Sequence, residues 1–148
     1  MFKFADTKQN NWTLNLTIGG VIKVQKELGI NLLDPMEHGE DGIPLSAKTL
    51  IDDVFLANVV TCLIDTQLTK NNVTKEEFLD GLDATSMKDM SDAFSKEYQA
   101  FFMSRGRSGL ADLLRKEAEA VQQAFDTVTE QSTSLSDEAD SDSKKQVD

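Results

Sequence analysis

Phe2-Lys3-Phe4-Ala5-Asp6 and, across a polar turn, Trp12-Thr13-Leu14-Asn15-Leu16-Thr17-Ile18 place a large apolar side chain at every second position. Period-two patterning of this kind puts the aromatic and aliphatic groups on one face and the Lys, Asn and Thr side chains on the other. The stretch therefore reads as a β-hairpin over about residues 2–17, turning within Asp6–Asn11. A two-stranded hairpin is marginal alone in water, so its apolar face needs a cover. Everything downstream with apolar periodicity reads as helix, and only helices can supply that cover. The expected fold is α+β: a mostly helical domain with an N-terminal β-hairpin, a long C-terminal helix and a disordered acidic tail.

Moving outward from the hairpin, Thr17 is an N-cap for a helix to about Leu28, with Val21, Ile22, Gln25 and Leu28 at helical spacing and Gly29 as its stop. Gly19 and Gly20 each weaken its first turn by roughly 1 kcal/mol against Ala, so packing must hold it. An acidic loop, Met36–Pro44, follows the Asp34-Pro35 turn. Ser46 then caps a long helix whose stripe of Leu50, Ile51, Val54, Phe55, Val59, Cys62 and Leu63, widened by Val60 and Ile64, marks it as central. Asn71-Asn72 ends it. Thr74 and Glu77 form a capping box for a short helix, and Ser86 and Asp89 repeat that arrangement for the next, whose buried side carries Met87, Met90, Phe94, Tyr98, Phe101 and Phe102. Arg105-Gly106-Arg107-Ser108-Gly109 is a break. Leu110, Leu113, Leu114, Val121, Phe125 and Val128 pattern a last helix over about 110–130, and 131–148 has almost nothing to bury. The chain thus divides into one globular domain, 1–130 (hairpin, helical cluster about 18–104, C-terminal helix), and a disordered tail, 131–148.

The whole chain has 148 residues with 15 Lys and Arg against 26 Asp and Glu, a formal charge of -11. That balance disfavours nucleic acid, whose phosphates need clustered positive charge, and disfavours anionic membrane surfaces. Met1–Asn10 has no continuous apolar stretch of the secretory kind, and no segment reaches the run a spanning helix needs. With one His and one Cys, a single copy lacks the usual zinc ligand set.

Asp34, Glu37, His38, Glu40 and Asp41 are the densest possible ligands, yet their spacing misses the alternating oxygens of a calcium loop, and a solvated acidic loop explains them. His38 has no Gly-x-Ser-x-Gly partner, and Cys62 sits on an apolar stripe where an inert buried thiol is expected. Asp52-Asp53 and Glu76-Glu77 suit solvent-facing helix surfaces. Thr17-Ile18-Gly19-Gly20 lacks the Lys of a phosphate loop, so its glycines read as close-packing positions. Arg105, Arg107, Arg115 and Lys116 are the local positive excess, able to receive an acidic partner or simply to sit near a helix end. No catalytic residue, metal site or cofactor emerges.

What remains is an apolar surplus. Met90, Phe94, Phe101, Phe102 and Met103 cover more of their helix than one packed face requires, and Met- and Phe-rich surfaces adapt to variable apolar partners. Phe94, Tyr98, Phe101, Phe102 and Leu110 are therefore the expected partner-binding residues. Any one of these residues reads more simply as ordinary core, and taken together they also allow self-association.

The order of features resembles small phage and prophage tail assembly chaperones. The likeness rests on Phe2-Lys3-Phe4-x-Asp6, Trp12-Thr13-Leu14-Asn15-Leu16-Thr17, Ile22-Lys23, Lys26 leading into Gly29-Ile30-Asn31-Leu32-Leu33-Asp34, and Val73-Thr74-Lys75-Glu76-Glu77-Phe78, followed by a final helix with a polar tail. The resemblance implies a non-enzymatic protein of the host cytoplasm that binds the tape measure protein and brings tail tube subunits to it, and that is not expected in the mature virion. It also implies a longer product made by ribosomal frameshifting, for which Lys144-Lys145 stands at a suitable place. Two rival expectations are a virion structural subunit, such as a tail completion or connector protein, and a small metal-dependent enzyme using the acidic loop.

Overall fold

A computed structural model describes the backbone of residues 1–147 and the side chains of 1–127. The expected disordered tail and the Lys144-Lys145 position lie outside the residues whose side chains are described. The elements run β1 (Phe2–Ala5), β2 (Asn11–Leu14), α1 (Ile18–Leu28), α2 (Leu45–Ile51), α3 (Asp53–Leu63), α4 (Asp65–Lys70), α5 (Lys75–Asp80), α6 (Ala84–Ser104) and α7 (Ser108–Val147). The fold is α+β and mostly helical, with the hairpin at its N-terminal end.

β1 and β2 pair antiparallel with Phe4 opposite Trp12 and Phe2 opposite Leu14. The turn between them is built on one buried carboxylate. Asp6 Oδ1 accepts from the Lys8 and Asn10 amides, and Oδ2 accepts from the Asn10 side chain and from the Trp12 indole at 3.0 Å. Burial alone would raise this carboxyl, but those four donors outweigh it and hold its pKa below the ordinary aspartate value. Thr7 anchors the same turn to Gly81 through its amide and its hydroxyl, both donating to the Gly81 carbonyl at 2.9 Å. On the apolar face, Phe78 of α5 meets Phe4 and Trp12 edge-on, at ring-centre distances of 6.2 and 5.5 Å. The outer edge of β2 is closed by Gln67, whose amide accepts from the Thr13 N–H and donates to the Thr13 carbonyl. A side-chain amide here stands in for a third strand.

α1 starts and stops where its residues dictate. Thr17 Oγ1 accepts from the Gly20 amide, and Gly29 ends the helix at φ +69°, a left-handed conformation glycine reaches without penalty. Gly20 packs closely, since a Cβ there would lie 3.0 Å from Leu63 Cδ2, whereas Gly19 would meet only the Thr17 hydroxyl at 3.7 Å. The buried face of α1 is Val21 and Val24; Ile22 and Leu28, expected inside, face solvent.

The long central helix expected from Ser46 is three shorter ones. Asp52 adopts an extended conformation (φ −110°, ψ 97°), ends α2, and caps α3 by accepting from the Phe55 amide. A short acidic side chain that competes for backbone donors favours caps over helix interiors. The break leaves Ile51 and Val54 exposed, Val54 at 73 %, while Leu56, Val59, Val60 and Ile64 are buried. Ser46 is not a cap. Pro44 holds that position, and the Leu45 and Ser46 amides donate to the Glu37 and Pro35 carbonyls, so the loop satisfies the first donors of α2. The Ser46 hydroxyl is buried without a partner. In α6 the cap is likewise displaced: Asp83, not Ser86, accepts the capping bond, from the Ser86 amide.

The central helix is α6. It packs against β1, α2, α3 and α7, and its Glu97 reaches back to the hairpin. That buried carboxylate accepts from the Leu16 amide at 3.0 Å, and its second oxygen has no directed hydrogen bond but lies 3.3 Å from the Met1 ammonium as an ion pair.

Substituting Asp6→Asn leaves an amide nitrogen among donors, and is expected to cost about 2–4 kcal/mol in urea unfolding at neutral pH. Because the folded pKa is depressed, the carboxylate's contribution is complete above the unfolded value of about 3.9 and disappears as pH falls through the folded one. The gap between wild type and variant therefore narrows below about pH 4.

Candidate functional site

The residues expected to bind a partner are mostly inside. Phe94, Tyr98, Phe101 and Phe102 are buried and form a chain of tilted and edge-on aromatic contacts along α6, with ring centres 5.3 to 5.5 Å apart. The Tyr98 hydroxyl donates to the Leu32 carbonyl, pinning the loop after α1, and burial pushes the phenol's pKa up. Leu110 is half-buried against the same core. The apolar surplus has a plain cause: α6 is covered by the hairpin on one side and by α7 and α2 on others, so its wide apolar arc is consumed at home. Only Met103 of the surplus stays exposed, at 57 %.

The acidic loop does not gather into a ligand set. Asp41 is turned inward on itself, one oxygen accepting from the Ile43 amide and the other from Lys48 Nζ, and these bonds lower its pKa. Lys48 also lies over the Phe55 ring, 4.9 Å from its centre. Asp34, Glu37, His38 and Glu40 are exposed, and the His38 backbone bridges Pro44. Among the described residues, no three His, Cys, Asp or Glu side chains converge as a metal site. Cys62 is buried, donates to Glu27 Oε2 at 3.1 Å, and has its pKa raised to about 12 by burial and by that carboxylate. No described helix is long and apolar enough to cross a membrane.

The feature that sequence reading missed is a groove between α6 and the 115–125 stretch of α7. The apolar stripe of α7 runs Ala111, Leu114, Ala118, Val121, Phe125, at helical spacing, and its burial fades along the helix. Ala111 and Leu114 are buried, Ala118 and Val121 half-buried, and Phe125 is 50 % exposed. A groove of about 730 Å³ lies beside α7, and its lining includes Val121 and Phe125 of α7 together with Leu50, Ala84 and Met87. Its lining also carries charges of both signs, Lys88 and Asp92 on α6, Arg115 and Glu119 on α7. A groove that mixes apolar side chains with charges of both signs suits one ridge of an amphipathic helix. The signal in the sequence was the continuation of the α7 stripe beyond the residues that have neighbours to pack on.

No family model matches the chain, nor does any curated protein or solved structure.

Two outcomes follow from these placements. Phe102→Ala is expected to lower global stability by about 3–5 kcal/mol in denaturant unfolding, as for a buried aromatic, whatever partner is present. Cys62 is expected to resist iodoacetamide at pH 8 in the native protein and to react fully in urea, since a thiol with a pKa of about 12 has almost no thiolate there.

Proposed function

We propose that this chain is a non-enzymatic tail assembly chaperone of a long-tailed phage, which shields apolar helical segments of the tape measure protein during assembly and leaves before the virion matures. The groove between α6 and α7 is the surface assigned to that task. The reading is supported by the resemblance of the sequence to tail assembly chaperones and by one observation above the rest: the part-exposed Val121 and Phe125 line one open groove with Leu50 and Met87.

Physically, a long amphipathic chain aggregates through its apolar stripe unless something covers that stripe reversibly. An open slot with a mixed-charge rim covers one ridge at a time, and low specificity at the rim suits a repetitive helical partner. The tail tube subunits are assigned as the second partner, brought to the same complex. The net charge of -11 keeps copies apart while they do this.

Co-expression with a long helical reading frame beside its gene is the test. The chain is expected to hold that product in solution, and Val121→Ser with Phe125→Ser is expected to weaken the complex by about tenfold or more, as loss of two interface anchors does. Thermal unfolding should barely move, because both side chains are already part-exposed. Mass spectrometry of mature virions should find none of the chain; a fixed copy number there would make it a structural subunit instead.

A further inference from the structure

The two edges of the hairpin are unlike. On β2, the Thr13 N–H and carbonyl are both taken by the Gln67 amide, at 2.9 and 2.7 Å. In an antiparallel pair, opposite residues alternate between those that bond each other and those that turn both backbone groups outward. Thr13 turns both groups away from β1, so Lys3 opposite it turns both away from β2. The Asp6 amide confirms the phase, because it donates to the Asn10 carbonyl at 3.1 Å where the alternation calls for a bonded pair. Ala5, opposite Asn11, therefore has the orientation of Lys3.

The outer edge of β1 thus presents the amide donors and carbonyl acceptors of Lys3 and Ala5. Among the described residues, no third strand and no side chain bonds to them, and both residues are exposed. A groove of about 410 Å³ is lined by the whole of β1, by Asn11, and by Asp89, Asp92, Ala93 and Lys96 of α6. Its charges balance, Lys3 and Lys96 against Asp89 and Asp92, so the groove as a whole selects no charged occupant. The backbone does the selecting. Groups spaced two residues apart along an open edge are a template for another strand, whereas a helix has already spent its own backbone groups.

Lys3 is the guard on this edge, since a charged side chain there discourages unwanted pairing. It makes no ion pair among the described residues. On an added strand, the residue directly opposite would have its Cβ about 5 Å from that of Lys3, so an acid there turns the guard into a cross-strand pair.

We propose that β1 receives an extended segment of a partner protein as a third, antiparallel strand, its backbone paired with Lys3 and Ala5 and an acidic residue opposite Lys3. A second copy is disfavoured, because its β1 arrives with its own α6 packed against it. The inference stands on the hairpin alone and does not depend on what occupies the groove beside α7.

The probe is the peptide Thr-Val-Thr-Glu-Thr-Val-Thr, titrated into the isotope-labelled full chain and followed by NMR. In the free chain the Lys3 and Ala5 amides are expected to exchange fast and the Phe4 amide slowly. At saturation, exchange at Lys3 and Ala5 should slow by about tenfold or more. Methylating the Glu and Val amides, which face β1 in this register, should abolish binding; methylating the two Thr amides beside Glu should not. Lys in place of Glu should weaken the peptide severalfold. Ala5→Pro removes an outward donor and leaves the β1–β2 ladder intact. It should weaken the peptide about fivefold or more, as loss of one hydrogen bond does, with the urea midpoint little changed. Ala5→Val keeps the amide and should bind normally, as should the Val121→Ser, Phe125→Ser chain. Where Ala5→Pro fails to fold, the methylated peptides decide. No binding of the unmodified peptide, equal binding of both methylated forms, or Lys3 and Ala5 amides already protected in the free chain overturns the proposal. Self-association of the free chain that Ala5→Pro abolishes overturns it in favour of a second copy.

Discussion

The Asp6 carboxylate is the constraint on which the rest of the structure is arranged. It gathers four donors from a five-residue turn, Asp6 to Asn10 and on to Trp12, into one point inside the protein. Holding the indole N–H from within fixes the Trp12 ring edge, and that ring then presents itself to Phe78 while Phe4 does the same from the opposite strand. A hairpin of two four-residue strands could not hold this arrangement by its ladder alone. The turn, the Gln67 clamp on Thr13 and the Glu97 contact to Leu16 turn it into a fixed plate on which α5 and α6 rest. Buried polar groups of this kind add specificity only when every donor and acceptor is satisfied, and at Asp6 they are.

From that plate the consequences run toward the rest of the fold. With β1 and β2 on one side of α6, α7 and α2 take other sides, and the broad aromatic arc from Phe94 to Phe102 is buried by the chain itself. The apolar side chains that reach solvent lie elsewhere, among them Ile22 on α1, Ile51 and Val54 at the α2–α3 break, Met103 at the end of α6 and Phe125 on α7.

Much of this was legible in the residues. Alternation at Phe2, Phe4, Trp12, Leu14 and Leu16 specified the hairpin and its buried face, because a period of two has few other readings. Thr17, Gly29, Thr74 and Gly106 marked helix ends through donors and backbone conformations that are local. The break at Asp52 was not legible, since Asp52-Asp53 within an apolar run looks like the wet side of a continuous helix. The Ser46 cap failed for a related reason: the loop carbonyls of Pro35 and Glu37 that satisfy α2 come from residues whose placement depends on the tertiary fold. The site was the least legible part. A surplus of Phe and Met along α6 looks the same in sequence whether a partner or the chain's own hairpin covers it, and only the packing of β1 and α7 decides between them.

Hydrogen exchange of the chain, free and in complex with the co-expressed helical partner, tests most directly the claim that this protein works by holding an apolar helix between α6 and α7. Protection gained at Ala84–Ser95 and around Val121–Phe125, with α1 and α3 unchanged, is the predicted result. Protection confined to α1, α3 or the acidic loop, or no change anywhere in a stable complex, would contradict it.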